Sequence, residues 1–293
     1  MYSSIAANKR NTVMIMALFV GLVGAIGWAI SYVYGNQSIA YWVIGAAAVY
    51  ALIQYYAASK LALAMTGARE IEKKDNPRLY RIVENLAIAT GMPTPKVYLI
   101  DDPAPNAMAT GRDPKHASVA ATTGILEVMD DRELEAVMAH EMGHVQNYDI
   151  RVSMIAFGLV SAIGILSDLA LQMFWFGGDR REGNGMHPVV LIIGIVLILI
   201  APILAMLIQF AISRQREYLA DATGAMTIRD SEGLASALEK LQHYGQPMQH
   251  QSTSTAHLFL NNPLKANFVS KLFSTHPPLD ERIARLRGNA HRM

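Results

Sequence analysis

The residues best suited to chemistry in this sequence lie in one short stretch, AVMAHEMGHVQ. His140 and His144 are four residues apart, so on a helix both imidazoles project from the same face. Two such imidazoles can bind one Zn²⁺. Glu141, beside the first histidine, can then take a proton from a water in an open coordination position. The stretch predicts a hydrolytic metal site, and the alternative is a polar helix face with coincidental histidines.

A tetrahedral zinc site needs another protein ligand, and a later pair of carboxylates offers one. Glu217 and Asp221 are four residues apart in SRQREYLADATG, so they share one face of a helix. We expect Glu217 to be the third ligand and Asp221 to orient a ligand imidazole. The alternative is a solvated helix beside a membrane, where Arg214 and Arg216 neutralise the acids.

The composition indicates a membrane protein. Hydrophobic residues make up 52% of the chain and charged residues 17%, against about 45–50% and about 25% in soluble domains. A cleaved signal peptide is the alternative for the first apolar stretch, but that stretch is too long and another follows at once. Four stretches reach the ~20 residues that a bilayer requires: about 12–33, 39–58, 152–176 and 188–212.

Net charge and cysteine content exclude other classes of protein. The net charge is +1 and no basic stripe is present, so the sequence predicts no nucleic-acid partner. The chain has no cysteine, which excludes disulfides and thiolate zinc sites.

Basic residues mark one side of the membrane. Lys9 and Arg10 precede the first apolar stretch, Lys60 follows the second, and Arg151 and Arg214 border the other two. The positive-inside rule therefore places both termini and both soluble parts in the cytoplasm. The predicted division is two membrane helices in 1–59, a cytoplasmic part in 60–150, two more membrane helices in 151–212, and a second cytoplasmic part in 213–293.

The first soluble part mixes helix and strand. Apolar residues at helical spacing predict a helix over 76–90, and Asp130 with Glu133 resembles a capping box that starts a helix at Asp131. Runs rich in β-branched and small residues predict strands at 96–100, 106–110 and 118–122. The metal-binding motif therefore lies on a helix that follows a small β-sheet.

Over nearly its whole length the chain resembles the HtpX-type membrane zinc metalloproteases, which are related to the CaaX prenyl endopeptidases. The resemblance rests on the spacing of the four apolar stretches and on four motifs: HEMGH (140–144), EYLAD (217–221), PNAMATG (105–111) and STHPPLDERI (274–283). Together these motifs are specific, whereas HEMGH alone is not. The family often has Phe where Met108 stands, a departure that concerns packing or the shape of a subsite.

The resemblance implies the fold class and the metal. It implies an α+β membrane protein, with a mostly helical zincin-like metallopeptidase domain, a small β-sheet and four transmembrane helices. It also implies one Zn²⁺ per chain, bound by His140, His144 and Glu217, with Glu141 as the general base.

The resemblance also implies roles for two further regions. His276 donates to the oxyanion of the tetrahedral intermediate and Arg282 helps to hold the site, although these residues alone fit a capped helix and a surface arginine equally well. The run Asn106, Ala107, Met108 and Ala109 corresponds to an edge strand along which the substrate peptide lies.

The implied function is zinc-dependent hydrolysis of misfolded or damaged membrane proteins at the cytoplasmic face of the bacterial inner membrane. The expected partners are protein substrates and the lipid bilayer, and the sequence indicates no oligomeric state. Two alternatives stay open. One is a CaaX-type processing peptidase, whose relatives usually have more membrane spans; the other is a non-enzymatic membrane scaffold or small transporter.

Overall fold

The structure is a computed structural model that describes residues 2–176, 214–249, 255–263 and 277–289. These residues form a mostly helical protein with one small mixed sheet. The helices are α1 (Tyr2–Tyr34), α2 (Ser38–Met65), α3 (Pro77–Thr90), α4 (Thr123–Val128), α5 (Asp131–Gln146), α6 (Asp149–Phe176), α7 (Arg214–Ile228), α8 (Ser231–Tyr244) and α9 (Leu279–Asn289). The strands are β1 (Arg69–Glu70), β2 (Lys96–Ile100), β3 (Ala107–Gly111) and β4 (Ala117–Thr122).

Within these described residues, two helices are long and apolar enough to cross a membrane, Ser4–Tyr32 in α1 and Ser38–Met65 in α2. The structure therefore supports two of the four predicted spans. The third predicted span lies within α6, which is not one of those two helices. The fourth, 188–212, lies outside the described residues.

Helix α2 is longer than the sequence predicted. The sequence predicts that the helix ends at residue 58, because Lys60 interrupts the apolar run shortly afterwards. In the structure the helix continues to Met65. The extra two turns are stabilised because Ala58, Ala62 and Leu63 are buried against the sheet and α6. The C-terminal end of α2 thus connects this apolar helix directly to the sheet and α6.

Helices α1, α2 and α6 pack against one another. Ile15 and Phe19 of α1 form one buried cluster with Ala47 and Ala51 of α2 and with the first turns of α6. The Tyr50 hydroxyl of α2 also donates to the backbone oxygen of Gly158 in α6, at 2.9 Å. The start of α6 is therefore fixed against the two candidate membrane helices.

The sheet has the strand order β1-β2-β4-β3, in which β2 and β4 are parallel and the other pairs antiparallel. The prediction of β2 is confirmed with the same bounds, and the predictions of β3 and β4 are confirmed within one residue. The two-residue β1 was not predicted, because so short a strand has no periodicity.

The two faces of the sheet contact different layers. Side chains alternate along β3, so Ala107 and Ala109 pack with α3 and α5, whereas Met108 packs with α2 and α6. The sheet therefore lies between α5, which carries the histidines, and helices α2 and α6.

The predicted capping box at the start of α5 is confirmed. Asp130 accepts from the Glu133 backbone N–H at 2.8 Å, and Glu133 accepts from the Asp130 backbone N–H at 3.0 Å. The Glu133 carboxylate also accepts from Ser236 and Lys240 of α8, at 2.7 and 2.6 Å. These contacts set where α5 begins and hold it against α8.

Candidate metal centre

Three side chains from two distant parts of the sequence converge at one point. The Nε2 atoms of His140 and His144 on α5 are 3.2 Å apart. Glu217 on α7 places Oε1 3.5 Å from His144 Nε2 and Oε2 3.8 Å from His140 Nε2. Ligands at 2.0–2.1 Å from one tetrahedral ion lie roughly 3.3 Å from one another. The two imidazoles and the carboxylate therefore fit one Zn²⁺.

This convergence depends on a close crossing of α5 and α7. Gly143 and Gly224 lie at the crossing, where a Cβ on Gly143 would meet the Ala220 carbonyl at 3.2 Å. A Cβ on Gly224 would lie 2.8 Å from the His140 nitrogen and 2.9 Å from its Cα. Glycine at both positions therefore lets the two helices approach closely.

Replacing Gly224 with Ala is expected to push α7 away from α5, because the added methyl meets backbone that cannot rotate aside. We expect a loss of about 1–3 kcal/mol in the free energy of unfolding and weaker zinc binding, measured by thermal unfolding and zinc titration. Gly288→Ala in α9 is the control, since nothing lies within 4 Å of its added Cβ. Equal stability and zinc affinity in the two variants would contradict the close crossing.

A buried ion pair supports the far side of His140. The His140 Nδ1 atom lies 2.9 Å from Asp221 Oδ1. Arg282 of α9 is fully buried and donates to both oxygens of Asp221, at 2.9 and 2.6 Å. Burial alone raises the pKa of Asp221, but the charge of Arg282 and the hydrogen bond to His140 lower it to about 2. Asp221 is therefore an anion behind the imidazole, with Nε2 of His140 left facing Glu217.

Asp149, which was not predicted from the sequence, supports His144 in a similar way. Its Oδ2 lies 3.0 Å from His144 Nδ1, and its Oδ1 accepts from Asn8 of α1 at 2.7 Å. Burial alone lowers the pKa of His144, but the carboxylates of Asp149, Glu217 and Glu141 raise it to about 9. The available signal was an acid five residues after a candidate ligand.

The donor atoms face a cavity of about 40 Å³. Glu141 lines it and is 3% exposed. Arg216 and His257 line the same cavity, although the sequence analysis gave neither a role in the site. The cavity is therefore lined by a carboxylate and a cation in addition to the candidate ligands.

The candidate substrate strand lies beside the cavity, and the chain itself covers part of it. Strand β3 is at the edge of the sheet, as expected, with Asn106 just before it. Residues 256–260, here called the covering segment, pair with this edge. The Leu260 N–H donates to the Ala107 oxygen at 2.9 Å, and Phe259 forms an antiparallel β-bridge with Met108. Asn106 also exchanges hydrogen bonds with the backbone of Asn261, at 2.8 and 3.0 Å. The edge is therefore partly paired rather than open.

The structure brings together most of the residues singled out in the sequence. His140, Glu141, His144, Glu217, Asp221 and Arg282 form one cluster, and Ala109 lines the same cavity. His276 lies outside the described residues.

Comparison with known proteins gives this arrangement a context. The model of peptidase family M48 matches residues 73–290. The chain is 56% identical over 287 residues to a protease HtpX homolog of Tropheryma whipplei (strain Twist), covering 98% of each chain. It is 42% identical over 296 residues to a protease HtpX homolog of Streptococcus pneumoniae (strain Hungary19A-6), covering 98% of this chain and 99% of that one.

Among solved structures, the crystal structure of S. mikatae Ste24p is similar to this fold, with a TM-score of 0.53 and 19% identity. The match covers 98% of this chain and 67% of that one, and at this identity it supports the fold alone. The extent of the family match and the identity to the two bacterial relatives decide the assignment: this chain belongs to peptidase family M48 and is an HtpX-type metalloprotease.

Proposed function

We propose that this metalloprotease is a zinc endopeptidase that hydrolyses misfolded or damaged membrane proteins at the cytoplasmic face of the bacterial inner membrane, as quality control during stress. The observation that supports it most is the convergence of His140, His144 and Glu217 within the reach of one ion, with Glu141 beside them. This site is joined through the sheet to α2, the second candidate membrane helix.

The residues of the site have different roles in the proposed hydrolysis. Zn²⁺ bound by His140, His144 and Glu217 would polarise the scissile carbonyl and lower the pKa of the attacking water. Asp221 and Asp149 each accept from the Nδ1–H of one histidine, which leaves both Nε2 atoms to face the metal. Glu141 takes the proton of the attacking water and passes it to the leaving amine. His276, on the evidence of its motif alone, donates to the oxyanion.

Strand pairing at β3 accounts for the binding of the substrate. A peptide that replaces the covering segment would accept and donate backbone hydrogen bonds along Ala107–Ala109, beside the cavity. Backbone pairing holds a chain extended and tolerates many side chains. Broad tolerance suits removal of damaged proteins rather than processing of one sequence.

The membrane placement rests on α1, α2 and basic residues. Asn8 of α1 donates to Asp149, which links the first apolar helix to a ligand histidine. We propose that the cytoplasmic parts 60–150 and 213–293 form one unit on this side of the bilayer, where the cut portions of membrane-anchored substrates are within reach.

Removal of the metal is expected to abolish hydrolysis reversibly. Purified protein in proteoliposomes is treated with a chelator, dialysed and given Zn²⁺ or Mg²⁺, with casein cleavage as the readout. We expect Zn²⁺ to restore cleavage and Mg²⁺ to fail, because Mg²⁺ prefers oxygen ligands and octahedral geometry. Full cleavage in the chelated protein would contradict a metal-dependent site.

The class of substrate is tested in the same proteoliposomes. We expect cleavage of a misfolded membrane protein with an unfolded cytoplasmic segment and little cleavage of a prenylated peptide. Cleavage of only the prenylated peptide would instead support a CaaX-type processing peptidase. A membrane scaffold predicts no cleavage of either substrate.

A further inference from the structure

A second cavity, separate from the metal centre, opens where α2 meets the sheet and α6. It measures about 250 Å³, several times the ~30 Å³ share of a water molecule in the liquid. Its walls come from residues 55–63 of α2, the ends of the strands and the first turns of α6. None of the donor atoms of the metal centre lines it.

The walls of this cavity are strongly cationic. Lys60, Lys96, Arg112, Lys115 and Arg151 line it, and no aspartate or glutamate does. Lys96 pairs with Glu70 at 2.8 Å, and Arg112 lies 3.7 Å from Asp113. In the part of the chain that the structure describes, Lys60, Lys115 and Arg151 form no ion pair. About three positive charges therefore have no acidic partner among the described residues, although Arg151 donates to the Arg112 backbone oxygen at 2.6 Å, and this favours an anionic ligand.

The position of the cavity along α2 indicates the level of lipid headgroups. Tyr56, at its rim, lies 20 residues after Asn36 in the turn between α1 and α2. On a helix this is about 30 Å, which is the thickness of the hydrocarbon core. Arg112 lies over the Tyr56 ring at 5.1 Å and Arg151 over the Tyr55 ring at 5.6 Å. Aromatic and basic side chains of this kind are enriched at the membrane–water interface.

An exposed apolar stripe on α2 extends from the cavity along the part of the helix proposed to cross the membrane. Val49, Leu52 and Ile53 are 58%, 55% and 53% exposed, and they lie on the face of α2 that continues to Tyr56 and Lys60. A ligand with an anionic head and an acyl chain would contact both the cations and this stripe. An acidic peptide would use only the cations.

We propose that this cavity binds the headgroup of an anionic glycerophospholipid, with its phosphate between Lys60, Lys115 and Arg151 and an acyl chain along the exposed stripe of α2. The inference rests on the membrane placement of α1 and α2 proposed above. It does not rest on peptidase activity, because the cavity contains none of the groups assigned to hydrolysis.

The test measures lipid binding to the full chain in detergent, carrying Glu141→Gln so that self-cleavage cannot affect it. Native mass spectrometry counts bound phosphatidylglycerol or phosphatidylcholine during titration. The double variant Lys60→Gln/Lys115→Gln removes two cations from exposed positions in the cavity. The control, Lys73→Gln/Lys74→Gln, removes two exposed lysines that lie outside the cavity. Lys73 pairs with Glu84, and Lys74 pairs with Glu72.

We expect saturable binding of phosphatidylglycerol, stronger than that of phosphatidylcholine, and a roughly 30-fold loss in the cavity double variant but not in the control. Equal binding of phosphatidylglycerol by both double variants would overturn the proposal. So would equal affinity for the two lipids. Competition arms with inorganic phosphate and glycerol 1-phosphate distinguish the source of the phosphate. Displacement of phosphatidylglycerol by either at matched concentration would assign the cavity to a soluble phosphate, and displacement by an acidic peptide would assign it to a protein partner.

Discussion

Replacing Glu141 with Gln is expected to lower kcat for peptide hydrolysis by about 10²- to 10⁴-fold and to leave zinc bound. Glu141 lines the cavity of the metal centre but is not one of the three converging donors. Glutamine keeps the size and a hydrogen-bonding oxygen of the side chain but cannot accept the proton of the attacking water. The measurement is kcat and KM on casein, with zinc per chain determined by atomic absorption.

The matched control is Glu135→Gln, which removes the same charge from the same helix outside the cavity. It is expected to keep both kcat and zinc. Near-normal turnover in Glu141→Gln would exclude this residue as the base, and loss of zinc in that variant would show that it acts in binding instead.

Replacing Arg282 with Met is expected to destabilise the protein by about 3–5 kcal/mol, because it leaves buried carboxylates without their cation. The guanidinium donates twice to Asp221 and lies 3.4 Å from Glu217 Oε2. Arg282 is fully buried, so water cannot replace it. The apparent Tm in detergent, measured with chelator present so that no metal offsets the loss, is expected to fall on the order of 10 °C.

Two further variants show whether the expected loss of Tm comes from the lost charge or from the lost packing of the side chain. Adding Asp221→Asn to Arg282→Met removes the uncompensated carboxylate and is expected to recover part of the Tm. Arg287→Met removes an arginine of the same helix whose pairs with Glu232 and Glu239 are exposed, so little change in Tm is expected. If Arg282→Met and Arg287→Met lower Tm equally, the buried ion pair does not carry the stability assigned to it.

Local signals in the sequence were sufficient for much of the metal centre. The capping box at Asp130 fixed the start of α5, and the four-residue spacing then placed both histidines on one face. The pairing of the histidines with Glu217 has no local signal, because it joins two helices that are distant in the sequence. The pairing forms because Gly143 and Gly224 let α5 and α7 approach closely.

The parts that were missed depend on turns and on contacts between distant residues. Asp149 contacts His144 across the break between α5 and α6, where Tyr148 adopts a positive φ of 61°. Such a conformation in a tyrosine has no sequence signature. The covering segment contacts β3 across about 150 residues, and no local pattern reports a pairing at that distance.

In the mode of substrate binding proposed above, the covering segment competes with the substrate for β3, because Leu260 already donates to Ala107. Because the covering segment is part of the same chain, its effective concentration is on the order of millimolar, whatever the concentration of the enzyme. A dilute short peptide competes poorly against it. A long unfolded stretch anchored in the same bilayer arrives at comparable local concentration and offers many backbone bonds. In this proposal, an unfolded segment anchored in the same membrane is selected through its backbone, without recognition of particular side chains.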